Sequence, residues 1–215
     1  MPELVLMEKH VFDANHAFYA EIVTYAITQV SLTFAHFLKS DQSPPAKSFI
    51  LNRGSVVDSI LRNTDEVLAG LGAGSVPSSL VYDEADASGV STGQRAPDYR
   101  IPPEAWRMIS QVCIGSAYER VNERINVRYG RDPWHWPPEL QYFRHVRNGC
   151  FHDNTFNLRA YNHPTAINRS NPPKWRTSIL KDDQSVTAQP VLGAYLNSGD
   201  VPILLADIAQ VLTGL

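Results

Sequence analysis

Phe143-Arg144-His145-Val146-Arg147-Asn148-Gly149-Cys150-Phe151-His152-Asp153-Asn154 is the stretch on which the reading of the fold turns. No proline interrupts it, and Leu140, Phe143, Val146 and Cys150 offer a packing face, so the pattern predicts a helix from Glu139 to about Phe151. At about 100° per residue, Asn148 and His152 fall nearly in line, with Arg147 roughly 140° from His152, a gap that a long guanidinium spans. A phosphate-binding cation, an amide and an imidazole thus stand within six residues. Arginine grips a phosphate through two donors and keeps its charge, while histidine as a residue type takes and returns a proton near neutral pH. Cleaving a phosphodiester through its own 2′-hydroxyl needs both jobs done.

An Arg followed by His after four to six residues is weak by itself, since composition alone gives about 1.4 such pairs and the chain holds two. The other, Arg128 to His135, is broken by Gly130 and Pro133. Requiring Asn directly after Arg, with His at the fixed spacing, lowers the expectation to about 0.03 for 14 Arg, 12 Asn and 7 His in 215 residues.

Arg147-Asn148-x-x-x-His152 resembles the signature of the HEPN superfamily (higher eukaryotes and prokaryotes nucleotide-binding). The resemblance implies an all-α fold and a homodimer in which the motifs of two protomers meet in a composite site. It implies metal-independent endoribonuclease activity on single-stranded or loop RNA, with no cofactor, giving 2′,3′-cyclic phosphate and 5′-hydroxyl ends. His152 would act as general base or acid, Arg147 would stabilise charge on the phosphate, and Asn148 would orient phosphate or His152. Such proteins often serve as toxins or defence effectors, so an antitoxin or other regulatory partner is a further expectation. The motif itself spans six residues; the helical layout agrees over about residues 10 to 154.

With 43% hydrophobic residues, a 215-residue chain buries one full core, and a single domain over 1–215 is expected. Cys113 and Cys150 make no disulfide framework and the first residues lack a signal-peptide pattern, which reads as cytoplasmic. Ile22–Leu38 carries no formal charge but includes six polar side chains, so it reads as a buried helix rather than a membrane span. The net charge of −3 conceals an asymmetry: residues 95–176 hold 13 basic and 7 acidic side chains, 12 of the cations being Arg. That block fits an RNA-binding face. It fits equally a solvated helix face, because Glu119, Glu123, Arg120, Arg124 and Arg128 fall at pairing distances. Arg144 and His145 are read as accessory RNA contacts or surface residues.

Outward from the motif, the expected architecture is an up-down bundle of four to five helices with a small β-hairpin near the C-terminus. Apolar residues from Phe18 to Phe37 predict a first helix over about 10–39, and Ile50, Val57, Ile60, Leu61, Val67 and Leu68 a second over 48–71 after a turn at Ser43-Pro44-Pro45. Residues 74–98 read as a mobile loop. Pro102-Pro103 open a third helix that ends at Gly130. Trp134 and Trp136 either stack on bases or pin their loop to the core. Alternating segments predict a hairpin within 155–190, with a turn at Asp182-Asp183, and Asp200 is the expected N-cap of a last helix over 201–212.

Competing readings remain. His152 is either catalytic or an ordinary histidine at a helix end that Gly149 loosens. The same basic face also suits a non-catalytic helical module that binds RNA or nucleotide or scaffolds a partner, and Arg147 alone suits an ion pair across an interface. No histidine or cysteine spacing points to a metal, and no nucleophile elbow is present.

Overall fold

Val5–Asp13 is a strand, β1, where helical spacing had been expected from His10 onward. The computed structural model describes residues 5–40, 50–86, 103–156, 158, 167–168, 170–181, 186 and 189–213. Along β1 the side chains alternate, His10 and Phe12 buried, Lys9 and Val11 exposed, which is the period of a strand. The expected helix starts later, as α1 over Tyr19–Ser40. Asp13 makes the turn between them, accepting the Asn15 amide on its side chain and the His16 amide on its carbonyl.

The expected second helix divides into β2 (Ile50–Asn52), β3 (Asp58–Leu61) and α2 (Thr64–Ala73). Gly54 turns the chain between the two strands, and any Cβ there would lie 1.8 Å from the Val57 carbonyl oxygen. About a third of the expected loop is a further strand, β4 (Ser79–Asp86); residues 87–98 lie outside the described residues, as does the Ser43-Pro44-Pro45 turn. The four strands form one antiparallel sheet in the order β1-β4-β3-β2. The molecule is therefore mixed α/β, and the all-α bundle is overturned by this sheet.

The C-terminal half follows its sequence signals more closely. Helix α3 runs from Pro103 to Tyr129, a single 3-10 turn covers Pro133–His135, α4 spans Pro138–Phe151 and α5 spans Asp200–Thr213. Within the expected hairpin region β5 (Lys174–Trp175) pairs with β6 (Ser178–Ile179) through a turn at Arg176-Thr177; the expected turn at Asp182-Asp183 lies outside the described residues. Helices α1 and α5 contact the sheet, and α3 and α4 pack on those helices. Phe12, Phe18, Tyr25, Tyr82, Phe143 and Trp175 are fully buried between these layers. Cys113 and Cys150 are free thiols inside this core. Among the described residues, no helix is long and apolar enough to cross a membrane.

One polar network ties sheet, hairpin and α5 together. Buried Glu84 on β4 accepts from His10 Nε2 at 2.7 Å and from both terminal nitrogens of Arg176, whose Nε reaches Asp207 on α5 at 2.7 Å. The Trp175 indole also donates to Asp207, at 2.8 Å. Arg176 holds a left-handed φ of 51°, a strained conformation for a non-glycine residue, to make this bidentate reach. Burial by itself would push the Glu84 carboxyl up, but the hydrogen bonds from Arg176 and His10 outweigh it and hold the group below its ordinary range. A carboxyl depressed on folding adds stability above its unfolded value of about 4.3 and loses it as pH falls through the lower folded value. The urea midpoint is therefore expected to drop steeply below about pH 4.3 in the wild type, and Glu84→Gln, less stable at neutral pH, is expected to flatten that acid limb. Parallel acid limbs in the two proteins would disprove this role for Glu84.

Candidate functional site

Helix α4 opens at Pro137-Pro138, where a missing N–H costs nothing, with Glu139 in its first turn opposing the positive helix end. It is an unusually covered helix. From Leu140 to Phe151 every residue is buried except Arg144, Arg147, Asn148 and Phe151. Those four lie at i, i+3, i+4 and i+7, one stripe of the helix surface. The solvent-facing side of α4 is thus composed of the motif and its neighbours, and exposed His152 follows at its end.

Arg147 is held by α3 as much as by its own helix. Its guanidinium carbon lies 5.6 Å from the centre of the Tyr118 ring and 5.4 Å from that of Phe151. One terminal nitrogen donates to Glu119 Oε1 at 2.5 Å, the other to Asn148 Oδ1 at 3.3 Å. Gly115 makes the arrangement possible, because a Cβ at that position would lie 2.5 Å from the Phe151 ring. Each terminal nitrogen keeps one further hydrogen, so a phosphate can be held in the fork without dismantling the stack. The Glu119 carboxylate is 58% exposed, and an ion pair of that kind contributes only about 0–1 kcal/mol, which a phosphate can outcompete.

His152 is not on the helix. Its backbone, at φ −118° and ψ 75°, forms the C-cap, so the angular argument for a continuous helix through His152 fails by one residue. Its N–H donates to the Gly149 carbonyl at 3.1 Å, and its own carbonyl accepts from the Thr155 amide and hydroxyl at 3.1 and 3.0 Å. Asp153 and Asn154 follow with φ of 54° and 57°, two left-handed non-glycine residues in succession, a strain of order 1–2 kcal/mol each. Asn154 offsets part of it by clamping Leu192, accepting its amide and donating to its carbonyl, both at 2.9 Å. The turn thus fixes the His152 backbone and presents its imidazole at the surface. Among the described residues the ring makes no hydrogen bond, so neither Arg147, Asn148 nor Asp153 is brought onto it within one protomer. Gly149 does not loosen this helix end: a Cβ there would lie 2.4 Å from a Val191 methyl, and the glycine admits that close contact.

Arg144 and His145 differ in burial. Arg144 belongs to the stripe and is half-buried, whereas His145 is buried, and both line a cleft of about 350 Å³ between α3, the 132–136 turn and α4. Burial, and then the charge of Arg144, push the His145 imidazole down to about 3, so it is neutral and is no cationic phosphate contact. Trp136 is buried with its indole donating to the Gly130 carbonyl at 2.8 Å, pinning the loop, while Trp134 lines the cleft.

Sequence reasoning passed over Gln111, Gly115, Tyr118 and Glu119, which form the wall of the site. Gln111 donates to the Cys150 carbonyl at 2.7 Å, satisfying one of the orphan acceptors at the α4 terminus. Their one sequence signal was a shared face of α3, at spacings of four, three and one. Glu8, His10 and Glu84 are the one group among the described residues with ligand-type side chains close enough to share a cation; it lies on the sheet, not on α4. Both Glu84 oxygens there are already taken by Arg176 and His10, which leaves a poor donor set. Compared with known proteins, the chain matches no family model, no curated protein and no solved structure.

Proposed function

We propose that the chain is a cytoplasmic, HEPN-like endoribonuclease that cuts single-stranded or loop RNA without a metal. What supports this reading is the composition of the exposed stripe on α4: Arg144, Arg147 and Asn148, ending at exposed His152, on a helix otherwise buried. The likeness rests on these residues and on α3 and α4; the sheet stands outside it. In the reaction, an imidazole takes the 2′-hydroxyl proton, the 2′-oxygen attacks phosphorus, and the bond to the 5′-oxygen breaks as that oxygen is protonated. Arg147 balances the charge that grows on the phosphate, held in place by the Tyr118 and Phe151 rings.

One acid–base imidazole per protomer, without a partner among the described residues of its own chain, suits a composite site in which a second copy contributes the other. Exposed apolar residues beside the motif support that arrangement: Met108 and Val112 share a face of α3 with Gly115 and Glu119, and Phe151 closes α4. A helix face of this kind exposed in one chain reads as an interface. Light scattering after size exclusion is expected to give twice the 24.0 kDa chain mass, and Val112→Glu to give monomer. A monomer in the wild type at high concentration would sink the composite site.

The test of function is incubation of mixed RNA with EDTA present, followed by identification of the new ends. Cyclic 2′,3′-phosphate and 5′-hydroxyl termini support the proposal; RNA that stays intact overturns it. A second reading, a non-catalytic RNA-binding or scaffolding module, is favoured by the Glu119 carboxylate on Arg147, and it predicts binding without cutting. As a toxin or defence effector, the protein would be neutralised by a partner that covers the same stripe.

A further inference from the structure

The cleft behind the motif stripe is lined by a buried imidazole. His145 is 4% exposed, its ring has no hydrogen-bond partner among the described residues, and it lines the cleft. A buried imidazole left in that state costs free energy unless a ligand or water completes it. Opposite it, Asn122 and Asn126 stand one turn apart on α3, joined to each other by a 3.4 Å hydrogen bond that uses one donor of Asn126 and one lone pair of Asn122. The remaining amide donors and acceptors border the cleft. The Trp134 indole supplies an aromatic wall, and Arg131 and Arg144 supply positive charge.

We infer that this cleft binds one nucleotide unit, its base directed inward to His145, Asn122 and Asn126 against Trp134, and its phosphate outward to Arg131 and Arg144. The chemistry matches on three counts. A base edge alternates donors and acceptors, as a neutral imidazole and two amides require, and splayed bases are recognised by such edges together with aromatic stacking. A cleft of about 350 Å³ lies at the lower end of the range for small-molecule sites, room for one nucleotide and no more. Asp132 also lines the cleft, with its carboxylate accepting the Trp134 amide at 3.0 Å, so a bare anion is less welcome than a ligand that carries donors as well.

The cleft adjoins the motif, since Tyr118 lines it and also stacks on Arg147. A nucleotide held there would flank the phosphate at Arg147, which would make the cleft the base-reading subsite of the proposed nuclease. That placement rests on the ribonuclease reading; the affinity for a nucleotide does not.

The experiment is a titration of the full chain with each of the four ribonucleoside 5′-monophosphates, with ribose 5-phosphate and inorganic phosphate as controls, read by calorimetry and tryptophan fluorescence. At least one nucleotide is expected to bind and to change the fluorescence, with ribose 5-phosphate at least about tenfold weaker. Asn122→Ala and Asn126→Ala, on half-buried helix positions, are each expected to weaken the nucleotide by about tenfold, the loss of one hydrogen bond, with no change in thermal midpoint. Displacement of the nucleotide by a short single-stranded oligoribonucleotide would identify its source as RNA; persistence would identify a free nucleotide. No nucleotide binding, equal binding of phosphate alone, or undiminished binding in both Asn variants would overturn the inference. RNA cutting without nucleotide binding would overturn it and leave the nuclease standing, whereas nucleotide binding without cutting would support the cleft and remove the nuclease.

Discussion

His152→Ala is expected to lower metal-independent RNA cleavage by roughly 10²–10⁴-fold, the ordinary contribution of a general acid or base, while RNA affinity changes little. The structure makes this a clean substitution. The imidazole is exposed and has no partner among the described residues, while the turn that carries it is held by the backbone of His152, Gly149 and Thr155 and by the Asn154 clamp on Leu192. Truncation at Cβ removes none of those bonds, so the urea midpoint should stay within the range of a neutral surface change, about 0.5 kcal/mol. Arg147→Ala should behave differently, losing cleavage and RNA affinity together, because it removes a phosphate contact as well as charge stabilisation. Arg147→Lys should recover only part of either, since an ammonium cannot donate as a fork or stack between Tyr118 and Phe151 in the same way. Full turnover in His152→Ala would end the proposed mechanism.

How much of this was readable in advance depended on what each segment's pattern means physically. Helices α3, α4 and α5 are long, periodic and bounded by Pro102-Pro103, Gly130, Pro137-Pro138 and the turn before Asp200, so local signals and tertiary structure agree there. The N-terminal sheet mixes the usual pattern. On β1 the inward positions are His10 and Phe12 while Met7 and Val11 are 64% and 48% exposed, and on β4 the inward set of Leu80 and Tyr82 ends in Glu84. An alternation in which a histidine and a glutamate point in and apolar residues point out does not register as hydrophobic periodicity. Only the long-range bonds from Glu84 to His10 and Arg176 make it tolerable. In the segment read as a second helix, Gly54 was the overlooked sign: the apolar residues on either side of it serve two short strands.

The motif residues were legible as a group because they are close in sequence, and the stripe on α4 keeps Arg147 and Asn148 side by side. Their surroundings were not. Tyr118 and Glu119 reach Arg147, and Gly115 meets the Phe151 ring, across the α3–α4 packing, a relation no local spacing encodes. His145 shows the same limit, since its burial in the cleft between α3 and α4, which leaves it a neutral imidazole, depends on α3 and the 132–136 turn and not on its neighbours in sequence.

Asp200→Ala is expected to cost about 3–5 kcal/mol, a large part of the 5–15 kcal/mol that holds an ordinary domain folded. Asp200 was expected to cap the helix it begins, but its carboxylate turns away from α5. It accepts the amides of Val56 and Val57 on Oδ1, both at 2.9 Å, and those of Ser55 and Asn197 on Oδ2. The side chain is fully buried, and burial pushes the carboxyl up against the pull of these four donors. Four N–H groups and four lone-pair sites match only a carboxylate. An amide in its place would set an NH₂ against two N–H donors, so Asp200→Asn should be nearly as damaging as Asp200→Ala, whereas a mere steric role would leave Asn harmless. The loop wraps tightly because Gly54 and Gly199 let it: a Cβ on Gly54 would lie 2.6 Å from Asp200 Oδ1, and one on Gly199 2.5 Å from the Asn52 carbonyl oxygen. Urea denaturation of both variants, beside Glu104→Gln as a control with its side chain 73% exposed, checks the expectation. A loss under about 1 kcal/mol in Asp200→Asn would show that the amides are satisfied by water instead. The same clamp bears on function, because it anchors α5 to the β2–β3 turn, and α5 packs on α4. Variants that loosen it should therefore lose cleavage at temperatures where the wild type is still active, with His152 and Arg147 chemically untouched.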